Sequence, residues 1–269
     1  MRWQTFVAPG IVAFGLTAAG CGGGTDSDTS STTTTNASAA GIWAGTDSAS
    51  GLELIGLVDS AGNADFIRFD GVQFVGTVQV SGTSLALAVD GYAQFGLPFA
   101  DGSTSGVGTV SGTVATASTI SGTLSFTTSG NTATTSTWSL TFNGLYDTAS
   151  SLSAISGVYT DAAAFAGAAD PMNGVSVTIA TDGSITGVNA NTGCALKGAV
   201  TLANASYDIY AVSYTLSGCT GDFTPLNGVA SFSGLAEINA TVSPATVTFG
   251  VSGQSSAGDY GLVSALTAS

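Results

Sequence analysis

Few side chains in this 269-residue chain could carry chemistry. There is no histidine; the basic residues are Arg2, Arg68 and Lys197, and the glutamates are Glu53 and Glu237. Without histidine, Ser-His-Asp and Cys-His nucleophiles are excluded, as are the common zinc hydrolase sites. A Ser-Lys nucleophile would depend on Lys197, which lies in an extended segment with no identifiable serine partner. Paired carboxylates could act on a glycoside, but nothing in the sequence brings Glu53 and Glu237 together. "GTVSGTVATASTISG" is rich in Gly and Ser, yet no helix follows to present amide dipoles to a phosphate. The expectation is a chain without a catalytic residue, a cofactor or a metal.

Binding remains, with three candidates. Arg68, in "DFIRFD", lies between Asp65 and Asp70. It reads as a paired strand charge facing water or as an anion-binding group in a barrel mouth. Tyr92 and Tyr214 fall 122 residues apart, at matching places in the repeat described below. Each suits the edge of a core with a wet hydroxyl, or a ligand contact. Trp43 and Trp138 read as core plugs rather than a sugar platform. The Asp-Gly pairs at Asp90, Asp101 and Asp182 are turn dipeptides before they are calcium ligands. Cys194 and Cys219 flank one hairpin, "CALKGAVTLANASYDIYAVSYTLSGC". Their pairing would add about 3–3.5 kcal/mol and leave Cys21 with another role.

These residues must be positioned by strands. Hydrophobic residues make up 44%, enough for a packed core. Charged residues are only 7%, against about 25% in an average globular protein. Amphipathic helices need many charged residues on their wet face; Thr, Val and aromatics broken by Gly suit short strands and tight turns. The net charge of −14 excludes nucleic acid, whose affinity comes from Lys and Arg on phosphates. It excludes a polybasic membrane patch as well.

From Gly41 onward, period-2 alternation with turn signals every few residues predicts an all-β meander. Strands are expected at 41–47, 52–59, 64–70, 72–80, 85–89, 106–115, 118–128 and 136–142. In "VQFVGTVQV", Val72, Phe74, Gly76, Val78 and Val80 share one face. The pattern then recurs at an offset of 122. Gly76 falls on Gly198, "SGTV" (111–114) on "SGLA" (233–236), and "WSLTF" (138–142) on "YGLVS" (260–264). "GIWAG" matches "GVYTD" (157–161) after a shift of about six, with an insertion around 165–174. The expected architecture is two tandem antiparallel units of about eight strands, 41–146 and 157–269, joined by a connector at 147–156. Gly inside the strands suits barrel corners, and closure removes sticky edges; a β-sandwich is the alternative. A membrane-spanning barrel would carry aromatic girdles, and the ending "LTAS" has no aromatic.

Two resemblances add to this. After one positive charge in Met1–Gln4, Thr5–Ala19 are apolar but broken by Pro9 and Gly10, which suits a signal peptide rather than a spanning helix. Ala18-Ala19-Gly20-Cys21, with Leu16 upstream and "CGGG" beginning at the cysteine, resembles the signal of bacterial lipoproteins. That resemblance implies removal of residues 1–20 and acylation of Cys21, with enough chains for stable anchoring. Gly22, rather than Asp, after the cysteine implies the outer membrane. Residues 21–40 then form a polar tether, reaching roughly 25 Å if disordered. The second resemblance is the Gly-x-Trp of "GIWAG", similar to the first strand of lipocalin-type and avidin-type barrels, with Gly157-Val158-Tyr159 in its place in the second unit. The body also resembles the small barrels of surface lipoproteins such as transferrin-binding protein B. Together these imply a non-enzymatic cell-envelope lipoprotein, held to the membrane by acyl chains, that binds a small ligand or an envelope protein. A filled adhesion or scaffold module is the second reading, and a carboxylate hydrolase the third.

Overall fold

The structure is a computed structural model that describes residues 35–161, 173–255 and 258–269. Thr35–Ser269 forms one compact unit containing two closed, antiparallel eight-stranded barrels. Barrel 1 runs β1 (Gly41–Asp47), β2 (Glu53–Val58), β3 (Asn63–Arg68), β4 (Gln73–Ser81), β5 (Ser84–Tyr92), β6 (Ser105–Ala115), β7 (Thr119–Thr128) and β8 (Ala133–Asn143). Every strand pairs with its neighbours in sequence, and β1 closes the ring on β8. Barrel 2 repeats the order: β9 (Gly157–Asp161), β10 (Ser176–Ile179), β11 (Ser184–Val188), β12 (Ala195–Leu202), β13 (Tyr210–Ser217), β14 (Phe232–Asn239), β15 (Thr246–Ser255) and β16 (Gly258–Ala268), with β9 closing on β16. The connector holds a short 3-10 turn (Gly144–Asp147) and α1 (Leu152–Ile155).

Each barrel builds its own core from alternate residues. In barrel 1 these include Leu54, Phe66, Phe74, Leu87, Val110, Ile120, Leu124, Trp138 and Leu140. On β6 to β8 the outward positions are exposed Thr and Ser, such as Thr109, Ser111, Ser125, Thr135 and Thr137. Hydroxyls rather than charges wet this wall, which accounts for the low charge content.

The Gly-x-aromatic motif closes the same end of both barrels in one way. Trp43 is fully buried and donates its Nε1–H to the Ala39 carbonyl, four residues back, at 2.9 Å. Tyr159 donates its hydroxyl to the Ile155 carbonyl, also four back, at 2.8 Å. A Cβ on Gly41 would lie 2.8 Å from the Trp43 ring, and one on Gly157 3.2 Å from Tyr159. The glycine makes room for the ring that follows it. Residues 36–40, expected to belong to a disordered segment, instead bond to barrel 1. Ala37 donates to the Gly82 carbonyl at 2.7 Å, Asn36 Oδ1 accepts from Gly82 at 2.8 Å, and Ser38 donates to Thr116 Oγ1 at 2.9 Å. Residues 36–40 thus lie across the bottom turns of barrel 1, because Trp43 needs an acceptor there.

Registers correct part of the repeat alignment. Gly76 and Gly198 do correspond: a Cβ on either would sit 2.1 Å from a carbonyl oxygen of the next strand. But Gly76 faces Val89 whereas Gly198 faces Tyr214. The counterpart of Tyr214 is Val89, and that of Tyr92 is Ser217. The connection between β12 and β13 is longer than the tight turn between β4 and β5, so one offset cannot serve both strands. The same counting pairs "WSLTF" with "SALTA" (264–268), placing buried Leu140 on buried Leu266. Asp90-Gly91 is not a turn: it lies inside β5, where a Cβ on Gly91 would stand 2.3 Å from the Phe126 ring.

The barrels meet along a seam. Ile42, Leu57 and Ile67, on the outward faces of β1 to β3, pack with Leu235 of β14, Val263 of β16, Ile209 and Tyr146. Tyr146 stacks on Tyr207 with centroids 4.4 Å apart. The segment after β5 adds backbone bonds: Gly261 donates to Ala93 and accepts from Phe95.

Candidate functional site

The four places expected to matter are not one place. Arg68 lies inside the upper end of barrel 1. Tyr92 points outward from β5 into the seam, with its hydroxyl beside Gln254 and Ser252 of barrel 2; burial and then the Asp90 charge push its phenol up. Tyr214 points into the core of barrel 2, against Phe232 and Phe249 with centroids 5.8 and 6.1 Å away. Cys194 and Cys219 sit at disulfide distance, 2.07 Å between sulfurs, tying the loop before β12 to the end of β13. Cys21 lies outside the described residues. Glu53 and Glu237 are on different barrels, at the top of β2 and on the seam face of β14. Trp43 and Trp138 are both core plugs, as expected.

The upper mouth of barrel 1 sets Arg68 over an open space with an apolar floor. A cavity of about 250 Å³ opens there between the β1–β2 turn, the ends of β3 and β7, the starts of β4 and β8, and the loop after β5. Its floor is apolar: Phe74, Phe126, Phe99 and Leu124. Phe126 lies edge-on to Phe74 at 5.4 Å and tilted to Phe99 at 5.5 Å. Gly91 and Gly106 make the space for Phe126, since a Cβ on either would strike its ring.

Polar groups ring the mouth. Arg68 is forked onto Asp70, Nε to Oδ1 and Nη2 to Oδ2, each at 2.9 Å. Its Nη1 lies 4.0 Å from Asp47, and its guanidinium carbon 6.0 Å from the Phe74 centroid. Asp47 is buried beneath it. Burial works to raise its pKa, but hydrogen bonds from the Ser50 backbone and hydroxyl, from Ser136 and from the Trp138 indole together hold it below the usual value. Asp101, in the loop after β5, is held well below the carboxylate range by Ser103 first and then Thr128. Both acids are ionised at any moderate pH. Two of the Arg68 donors are committed to Asp70 and Nη1 lies near Asp47, so the arginine braces the rim.

Among the described residues, the equivalent end of barrel 2 is filled by the connection between β13 and β14. Lower down, a cavity of about 10 Å³ lies between Ile155, Ile179, Ile185 and Val247. The β13–β14 connection, in the same place as the barrel 1 loop that carries Phe99 and Asp101, forms a 3-10 turn (Gly221–Gly228). It drives fully buried Leu226 and then Val229 into the core. The walls accommodate this. Counting registers from the Gly76 and Gly198 pair, mouth-lining Phe126 corresponds to Gly253, where a Cβ would stand 2.5 Å from Val229. Thr134, on the barrel 1 rim, corresponds to Tyr260, which packs at 5.0 Å on Phe95 reaching across from barrel 1. Arg68 corresponds to Asn189, fully buried and bonded to the backbone of Asn173, Asn191 and Thr192.

The seam carries polar residues that sequence reasoning missed. Asp65 (on β3), Gln73, Gln94 and Glu237 are all buried there with side-chain atoms lacking a hydrogen-bond partner of normal geometry. Burial raises Asp65 to about 7 against a small opposing pull from the Leu235 amide. Burial also raises Glu237 to about 7, with Thr248 opposing and Asp208 adding. Gly250 of β15 is a notch for this contact, since a Cβ there would lie 2.7 Å from Asp65 Oδ2. Among the described residues the basic side chains are Arg68 and Lys197; the first is held in the barrel 1 mouth and the second is exposed on β12.

No family model matches this chain, and no curated protein does.

Proposed function

We propose that this chain is a lipid-anchored protein of the bacterial cell envelope in which barrel 1 binds a small molecule and barrel 2 is a closed support. One observation carries the binding role: the mouth of barrel 1 opens on a cavity of about 250 Å³, whereas among the described residues the same end of barrel 2 holds the buried side chains of Leu226 and Val229. An apolar floor with a few fixed polar groups at its rim is the common form of a small-ligand site. The Ala18-Ala19-Gly20-Cys21 junction supports the anchor, as does the pairing of Cys194 with Cys219, which leaves Cys21 for acylation. No catalytic role is proposed, because the two glutamates lie on separate barrels and the mouth acids are saturated by hydrogen bonds.

Native mass spectrometry of Thr35–Ser269, exported to a periplasm and purified without detergent, tests the binding role. The expected result is a reproducible added mass that is lost in Ala49→Trp, which places an indole at the mouth. A bare protein that also takes nothing from an envelope extract would overturn it and favour a scaffold. For the anchor, Cys21→Ser in the full chain is expected to move the protein out of the membrane fraction; unchanged fractionation would remove the claim.

A further inference from the structure

We infer that the barrel 1 mouth selects a cationic amphiphile: an ammonium or amidinium head on a short apolar body. The inference rests on barrel 1 being a binding barrel, and it names the ligand class. Four charged side chains stand at the mouth. Asp47, Asp101 and Arg68 line it, and Asp70 pairs with Arg68 from beside the lining. The mouth therefore carries an excess of two negative charges.

An anionic ligand meets an arginine that two carboxylates already engage. One edge of the guanidinium, Nε and Nη2, is forked onto Asp70, and Nη1 faces Asp47 at 4.0 Å. Taking Arg68 would draw it from Asp70 and Asp47 and set an anion beside both carboxylates, which like-charge repulsion opposes. The chain as a whole, at −14, also repels anions before contact.

A cation meets favourable groups at each depth. The Asp101 carboxylate is exposed at the rim and ionised. Below it, Phe99, Phe126 and Phe74 present ring faces and edges within about one ring diameter of each other, and aromatic faces attract cations. Arg68 already sits over Phe74. The floor then takes an apolar body. At about 250 Å³ the cavity falls below the ~300–1,000 Å³ of drug-sized pockets, so that body is a short chain or a single ring.

Three probes with one tail separate the possibilities: octyltrimethylammonium, octyl glucoside and octyl sulfate, each below its micellar concentration. Titration calorimetry with Thr35–Ser269 at low ionic strength is expected to show the ammonium binding about tenfold or more tighter than the other two. Asp101→Asn should narrow that gap, as should added salt, and Ala49→Trp should abolish binding. Equal affinity for ammonium and glucoside, or a preference for sulfate, would overturn the ligand class while leaving barrel 1 a binding barrel. Failure of all three to bind, together with a bare protein in the mass spectrum, would overturn both readings.

Discussion

Barrel 1 and barrel 2 are built on one plan, with the same strand order, the same glycine at the fourth strand and the same i−4 bond from an aromatic ring at the base. They part company at the top. Barrel 1 keeps Phe126 in the wall and leaves the axis open; barrel 2 has Gly253 there and fills the axis with Leu226 and Val229. The aromatic mass has moved between strands: at this level barrel 1 reads Gly76, Val89, Gly108, Phe126, and barrel 2 reads Gly198, Tyr214, Phe232, Gly253. A closed meander can thus exchange bulk between neighbouring strands without changing its stagger. The connection after the fifth strand decides whether the result is a container or a solid peg.

The largest expected effect comes from pulling the stopper. Leu226→Ala should destabilise barrel 2 by about 3 kcal/mol, as a large-to-small change at a fully buried site does. The two tryptophans of Thr35–Ser269, Trp43 and Trp138, are both in barrel 1, so denaturant melts followed by tryptophan fluorescence read barrel 1 alone. Amide exchange of β12 to β15 reads barrel 2. Loss of exchange protection in barrel 2 with an unchanged tryptophan transition would show two independent units. A matching shift in both would show that the seam couples them, and would turn the comparison from two proteins on one chain into one cooperative body.

Removing the tie gives the next effect. Cys194→Ser with Cys219→Ser opens a loop with a sequence separation of 25 and should cost barrel 2 about 3 kcal/mol. Barrel 1 has no corresponding bridge and should not respond to reductant. A barrel 2 indifferent to both substitutions would mean that the plug, not the bridge, fixes the β13–β14 connection.

The seam supplies a pH dependence. Asp65 holds a proton in the folded state up to about pH 7, against an unfolded value of 3.8. The folded state thus binds more protons, so this contribution to stability is full below about pH 4 and is lost as pH rises to 7. The slope is about 1.4 kcal/mol per pH unit for one such group. The surroundings offer no relief: Leu235, Ile67 and Gly250 pack on Asp65, and the charged neighbours along the crevice are Asp59 and Asp90. Urea midpoints between pH 4.5 and 8 should fall with rising pH, and Asp65→Asn should flatten the curve. Identical slopes in the two proteins would show that Asp65 is not the group that loses its proton.

The seam also marks the limit of what the sequence shows. Alternation located the strands because a barrel wall has one dry face, and on β6 to β8 the other face is Thr and Ser. The same rule hides Asp65. It alternates with Ala64 and Phe66, so it reads as water-facing; but outward is not wet where a second barrel is docked. A signal was present: "LELIGLV" and "YGLVSAL" are nearly continuous apolar runs, as expected of strands buried on both faces. The mouth was less legible. Arg68, Asp47, Phe99 and Asp101 come from separate strands and loops, and nothing in their spacing says that one loop leaves the axis open while its counterpart closes it. The repeat misplaced Tyr92 against Tyr214 for a related reason, since a longer connection slides a register without altering the pattern of either strand.

The smallest effect tests the feature the barrels share most closely. Tyr159→Phe keeps the ring and removes only the hydroxyl that bonds to the Ile155 carbonyl. A buried hydrogen bond of this kind contributes about 1 kcal/mol, which should lower the melting temperature of barrel 2 by about 4 °C. In barrel 1, Trp43→Phe removes both the indole N–H and ring volume, so it should cost more than the bond alone. If the two substitutions cost the same, the bond to the residue four back is what closes each base, and the rings are interchangeable fillers. If Tyr159→Phe costs nothing, Ile155 and the rest of α1 hold the base by packing. The likeness of the two barrels would then lie in the glycine that admits a ring, with the hydrogen bond a local addition.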